Sequence, residues 1–233
     1  MNTLDILYTP LDTPNVPTAD IPKLLDWIKN NAVSQSITNR PDASRDLMVK
    51  ESKYPWDIIY PKIKNNWQYN FDTTFPVLAK FFSSAYGLEE EEVTGVVLLP
   101  VKPEFAGIGF WHSDPDQHGL RMYIENHETE NFLLMRPTIE PYNKRPQFGV
   151  DASFKNTPLQ DKIISATLRA NNQTFFINNT RAVHAVNTVN PGTVRIAVII
   201  LCVDTPKVTS HINELILQSA EKFKEFAIQW TVP

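Results

Sequence analysis

The sequence predicts a mostly β domain with helices at its flanks, its strands packed as a sandwich or a barrel. Three observations predict it. The middle of the 233-residue chain is a series of short runs rich in β-branched and aromatic residues, which suit a pleated, half-buried surface. Turn formers separate these runs, among them Pro115-Asp116, Asn171-Asn172-Gln173, Asn178-Asn179-Thr180 and Asn190-Pro191-Gly192. Helical periodicity is confined to the two ends. Eighteen prolines against seven glycines fit a chain broken into many short elements.

Taken in order, the first helix is expected over 20–31. Asp20 would cap it, Pro22 sits in its first turn, and Ile21, Leu24, Leu25 and Ile28 make one stripe. A second is expected from Thr73, with Pro76 early and Gly87 as the residue that stops it. Glu89 to Glu92 form the one charge run, expected as a solvated loop because like charges repel. Strands follow at 94–101, 107–113, 120–126, 131–137, 146–154, 163–170, 173–179, 182–189 and 193–203. Ser210 would cap the last helix, whose stripe is Ile212, Leu215, Ile216, Ala220 and Phe223. The organisation is one domain over 1–233: a helical part to about 93, a β core over about 94–204, and a C-terminal helix over about 206–228. No internal repeat interrupts it.

Composition limits the function. Lysine and arginine number 22 against 26 acids, a formal charge of −4, which argues against non-specific binding to nucleic acid. Cys202 is the single cysteine, so no internal disulfide forms and a reducing compartment is expected. The opening stretch lacks a basic, apolar leader, and no run has membrane-spanning length. A cytoplasmic protein with no membrane partner is expected.

The residues that can do chemistry begin at His112-Ser113-Asp114, directly after the apolar run from Ile108 to Trp111. On a strand, residues two apart share a face, so this imidazole and carboxylate can converge on one ion. Pro115 then halts the strand. His184 stands among Ala182, Val183, Ala185 and Val186, as a core histidine would, or as a ligand would. Arg195 follows eleven positions later and heads an otherwise apolar strand; burying its charge is costly unless an anion meets it. Arg121 and Tyr123 share one face of the strand after the His112 loop. Arg181 reads as a solvated turn residue, and Trp111 as a pocket wall or core filler. His118, His127 and His211 show no partner pattern, although His118 rivals His184 as a ligand through His112-x5-His118.

Together His112-Ser113-Asp114, His184 and Arg195 resemble the iron(II)- and 2-oxoglutarate-dependent oxygenases over roughly residues 94–204. The wording "HSDPDQHGLRMYI … INNTRAVHAV … VRIAVI" is most similar to the aspartyl/asparaginyl β-hydroxylase-like and small prolyl-hydroxylase-like branches. The resemblance implies a double-stranded β-helix, or jelly roll. It implies Fe(II) held by His112, Asp114 and His184, with 2-oxoglutarate as co-substrate and O2 taking the remaining positions. Arg195 would clamp the far carboxylate of 2-oxoglutarate, since its planar fork matches a carboxylate. Arg121 and Tyr123 would support that carboxylate, or Arg121 an acidic group of the substrate. Halogenating relatives carry a small residue where Asp114 stands, so hydroxylation is implied, of an amino acid or a peptide side chain. Two other readings stay open: a cupin-like metalloprotein that uses no 2-oxoglutarate, and a non-catalytic jelly-roll binding module. Cupins usually carry His-x-His with a following Glu, which this chain lacks, and only the oxygenase reading gives Arg195 a task.

Overall fold

The computed structural model describes residues 3–17, 21–31, 58–100, 107–108, 118–125, 130–137, 163–169, 174–188 and 195–231. In chain order the strands and helices are β1 (Ile6–Pro10), α1 (Ile21–Asn31), β2 (Ile59–Ile63), β3 (Asn66–Trp67), α2 (Phe71–Thr74), α3 (Pro76–Ser84) and β4 (Val93–Pro100). Then come β5 (Gly107–Ile108), β6 (Leu120–Glu125), β7 (Glu130–Pro137), β8 (Ile164–Arg169), β9 (Thr174–Ile177), β10 (Ala182–Thr188), β11 (Arg195–Cys202), α4 (Pro206–Lys222) and β12 (Ile228–Gln229).

The strands form two sheets. One has eight strands in the order β12-β1-β9-β6-β11-β4-β2-β3, and the other four in the order β5-β10-β7-β8. From β4 to β11 the chain passes back and forth between them, with antiparallel pairing throughout. That order is the jelly roll. The larger sheet is covered on both faces, which is why β4 and β11 read as almost unbroken apolar runs. On its outer face Val96, Leu98, Leu120, Met122, Ile196, Val198 and Ile200 pack with residues of α1, α3 and α4, such as Leu24, Phe82 and Ile212. On its inner face Tyr123, Phe175 and Ile177 meet Leu133, Met135, Ala166 and Ala182 of the smaller sheet.

The first 93 residues are not only helical. β1 lies between β12 and β9, with Tyr8 opposite Ile177, and β2 and β3 extend the far side of the sheet beyond β4. Pro61 hides β2 in the sequence, because a proline demotes an apolar run as an inner strand. The structure accommodates it with a shift of register against β4 between Ile59 and Lys62. Lys62, also on β2, is almost fully buried. Its Nζ donates to the Glu90 carbonyl at 2.8 Å and lies 4.9 Å from the centre of the Trp67 ring.

Three helix ends bear on the expectations. Gly87 does stop α3: its φ is 68°, and the Leu88 N–H donates to the Ser83 carbonyl at 3.2 Å, the closing bond of a Schellman turn. Ser210 does not cap α4. The cap is five residues earlier, where Thr205 Oγ1 accepts from the Val208 N–H at 3.4 Å and Pro206 occupies the first turn. The acidic run is not a plain loop either. Glu90–Glu92 form a short 3-10 turn closed by a capping box between Glu89 and Glu92, and Lys207 pairs with Glu92 at 2.7 Å. The expected Asp20 cap and the strand over 146–154 lie outside the described residues.

Candidate active site

Of the sequence-predicted residues, His184, Arg121 and Tyr123 lie on strand faces turned to the space between the sheets. His184 lies on β10, opposite Met135 of β7, and alternates with Ala182 and Val186, which pack into the core between the sheets. The imidazole is therefore turned inward, and it is 3% exposed. Turn chemistry fixes the entry to this strand. Asn178 Oδ1 accepts from both the N–H and the hydroxyl of Thr180, at 3.1 and 2.7 Å, while its Nδ2 donates to the carbonyls of Ile6 and Thr3. The Arg181 and Ala182 N–H groups both donate to the Asn178 carbonyl. Arg181, read in the sequence as a solvated turn residue, is buried in the structure, because this turn is sewn to β1.

His112 and Asp114 lie outside the described residues, in the connection between β5 and β6. The end of that connection is well placed. Gly119, at φ 65°, accepts a hydrogen bond on its carbonyl from the Ile177 N–H at 2.9 Å. The connection thus returns to the sheet beside the end of β9, next to the 178–181 turn that leads to His184. Among the described residues no three metal-ligating side chains cluster; His184 is the one member of the expected triad that they include.

Arg121 and Tyr123 alternate along β6 on the inward face, as expected. Arg121 is buried, and its Nη1 donates to the Leu120 carbonyl at 2.8 Å, so the guanidinium turns back toward the Gly119 end of the strand. Tyr123 packs edge-on against Phe175, ring centres 5.0 Å apart, a contact that makes it a wall of the interior. Arg195 opens β11 in register with Glu125, the last residue of β6. Along the paired strands it is four positions from the level of Arg121, about 13 Å. It stands at the opposite end of the interior from Gly119 and the His184 turn.

Sequence reasoning missed two histidine contacts. His118 Nε2 lies 3.3 Å from Thr209 Oγ1 of α4, and His211 Nε2 lies 2.8 Å from the Tyr86 carbonyl. Both partners are remote in the chain, so no spacing signals them. His118 also borders a cavity of about 230 Å³, shared with Asn178, Thr180, Asp204 and Thr209. With Phe176 and Ile212 also in its lining, this cavity lies on the outer face of the larger sheet. No helix among the described residues is long and apolar enough to cross a membrane.

No family model matches the chain, and no curated protein matches it. Among solved structures it is similar to SnoK, a non-heme alpha-ketoglutarate-dependent carbocyclase from nogalamycin biosynthesis, with 10% identity over 88% of this chain and 87% of that one, TM-score 0.46. It is also similar to the epimerase SnoN in complex with Fe3+, alpha-ketoglutarate and nogalamycin RO, with 14% identity over 84% and 80% of the two chains, TM-score 0.44. A third is EvdO2 from Micromonospora carbonacea var. aurantiaca complexed with 2-oxoglutarate, with 13% identity over 88% and 92%, TM-score 0.41. At such identities the likeness stands beside the jelly roll, which the strand order establishes by itself.

Proposed function

We propose that the protein is an iron(II)- and 2-oxoglutarate-dependent dioxygenase that hydroxylates an amino acid or a peptide side chain. The observation that carries this reading is His184: a buried imidazole facing the interior of a jelly roll, at the end where the His112–Asp114 connection rejoins the sheet. The donor set suits the ion. Two imidazoles and one carboxylate bind a non-haem Fe(II) and leave positions for co-substrate and O2. When bound, the iron supplies the oxidising chemistry that converts 2-oxoglutarate and O2 to succinate and CO2 and delivers one oxygen atom to the substrate.

The protein's own residues bind, orient and exclude. His112, Asp114 and His184 hold the ion in this reading, each through an uncharged imidazole nitrogen or a carboxylate oxygen. Arg195, at the far end of the interior, takes the distal carboxylate of 2-oxoglutarate. Arg121, whose guanidinium turns toward the Gly119 end, takes an acid group of the substrate in this reading. Tyr123, Leu133, Met135 and Phe175 line an apolar interior, where charge-assisted hydrogen bonds are stronger than in water.

The test has two readouts. Fe(II) and 2-oxoglutarate mixed with the protein without oxygen should give the weak visible charge-transfer band of the chelate, and His184→Ala or Asp114→Ala should abolish it. With oxygen, a panel of amino acids, peptides and oligonucleotides should stimulate succinate release only for the first two classes. Full turnover and retained metal in His184→Ala would sink the assignment. Stimulation by an oligonucleotide alone, lost at high salt, would overturn the substrate class.

A further inference from the structure

We infer that the cleft between α4 and the 178–180 turn is a binding site for a small amino alcohol, a molecule that carries a primary ammonium and a hydroxyl group. The site is separate from the candidate active site. Phe176, Ile212 and Ile216 in its lining belong to the outer face of the larger sheet, whereas His184 is turned to the inner one. The cleft has a volume of about 230 Å³. That is room for roughly seven waters at about 30 Å³ each, and so for a ligand with a similar number of non-hydrogen atoms.

The lining is polar where an apolar one would serve the fold better. α4 buries Val208, Ile212, Ile216 and Ala220 in the core over the larger sheet. Thr209 and Asn213, one turn apart, open beside that stripe into the cleft. Apolar side chains there would widen the stripe, close the space and add burial. The polar groups differ in how far they are engaged. Asn178 spends its amide on the carbonyls of Thr3 and Ile6 and on Thr180, so it builds a wall. The amide of Asn213, on a half-buried side chain, makes no hydrogen bond among the described residues. Its oxygen and its NH2 together match a hydroxyl, which both donates and accepts. Asp204 supplies the one carboxylate, and none of the described residues in the lining is a lysine or an arginine. An ammonium therefore finds a charged acceptor there, whereas an anion would be repelled. Phe176 and Ile212 offer the carbon atoms between the two groups an apolar floor.

The probe is serinol, which is glycerol with its central hydroxyl replaced by an ammonium. It is titrated calorimetrically into the full chain without iron or 2-oxoglutarate, so the result does not depend on the oxygenase reading. Serinol should bind at one saturable site with a dissociation constant on the order of 1 mM or below. Glycerol, which lacks the ammonium, should bind roughly tenfold more weakly or worse, and isopropylamine, which lacks the hydroxyls, about three- to tenfold more weakly. Asp204→Asn, an exposed and nearly isosteric change, should weaken serinol roughly tenfold or more. Asn213→Leu should fill the cleft and abolish binding, with a thermal midpoint equal to or above that of the unsubstituted protein. The absence of saturable heat with serinol would overturn the proposal, and so would binding left unchanged by either substitution. Glycerol or isopropylamine binding as tightly as serinol would overturn the amino-alcohol assignment.

Discussion

At the scale of single residues, Arg195 has the most specific task in the proposed chemistry. It stands where β11 begins, in register with Glu125, at the end of the interior away from His184. Arg195→Ala should raise the 2-oxoglutarate requirement at least tenfold and leave iron affinity nearly unchanged. Removing one partner of a desolvated charge pair costs roughly 2–5 kcal/mol. Succinate release against 2-oxoglutarate concentration, with a parallel iron titration, checks this. An unchanged requirement would transfer the role to Arg121. The candidate residues are singled out in the sequence by type and spacing: a His and an Asp two apart, a distal His, an Arg eleven residues on. The contacts of His118 and His211 are not, since Thr209 and Tyr86, which they meet, lie about a hundred residues away. The burial of Arg181 was equally hidden, because it depends on β1 reaching across to Asn178.

At the scale of elements, the start of α4 is held to the 3-10 turn at Glu90–Glu92 by Lys207 and Glu92. The hydrogen bond from Lys207, then the backbone bond of the capping box, holds the Glu92 carboxyl below its ordinary 4.5. The same contact holds the Lys207 ammonium above its ordinary 10.5. A carboxyl whose pKa is depressed on folding adds stability above its unfolded value and loses it as pH falls through the folded one. A raised ammonium adds stability below its unfolded value and loses it as pH rises through the folded one. Lys207→Gln should therefore lower the thermal midpoint near neutral pH by a small amount, since Lys207 faces solvent and Glu92 is partly exposed. The gap from the unsubstituted protein should close as pH falls below 4.5 through the depressed Glu92 value, and again as pH rises above 10.5 through the raised Lys207 value. Midpoints measured across that range decide it; a gap independent of pH would mean the ion pair is not its source. Here too the sequence was readable where the signal was local, as with Gly87. It misled where two signals competed: Ser210 preceded a clean apolar stripe, yet Thr205 followed by Pro206 made the better helix start.

At the scale of the whole molecule, strand content and the sandwich or barrel class followed from composition and turns, and the jelly roll followed from the resemblance. The role of β1 followed from neither. Its five residues look like a tail, yet it is buried along its whole length and lies between β9 and β12. Deleting residues 1–10 should uncover Phe175 and Ile177 and open the edge of β9, giving insoluble protein or a collapsed thermal midpoint. A soluble product that keeps its midpoint would show that the sheet closes without β1. Position in the sheet also has a consequence in time. On the ribosome β1 is made before its neighbour β9: Ile177, which pairs with Tyr8, comes about 170 residues later. At typical synthesis speeds that is a delay of roughly ten to thirty seconds. Throughout it an apolar strand waits without its partner, so the nascent chain should draw on holding chaperones early and gain its protease resistance only after β9, and then β12, has emerged.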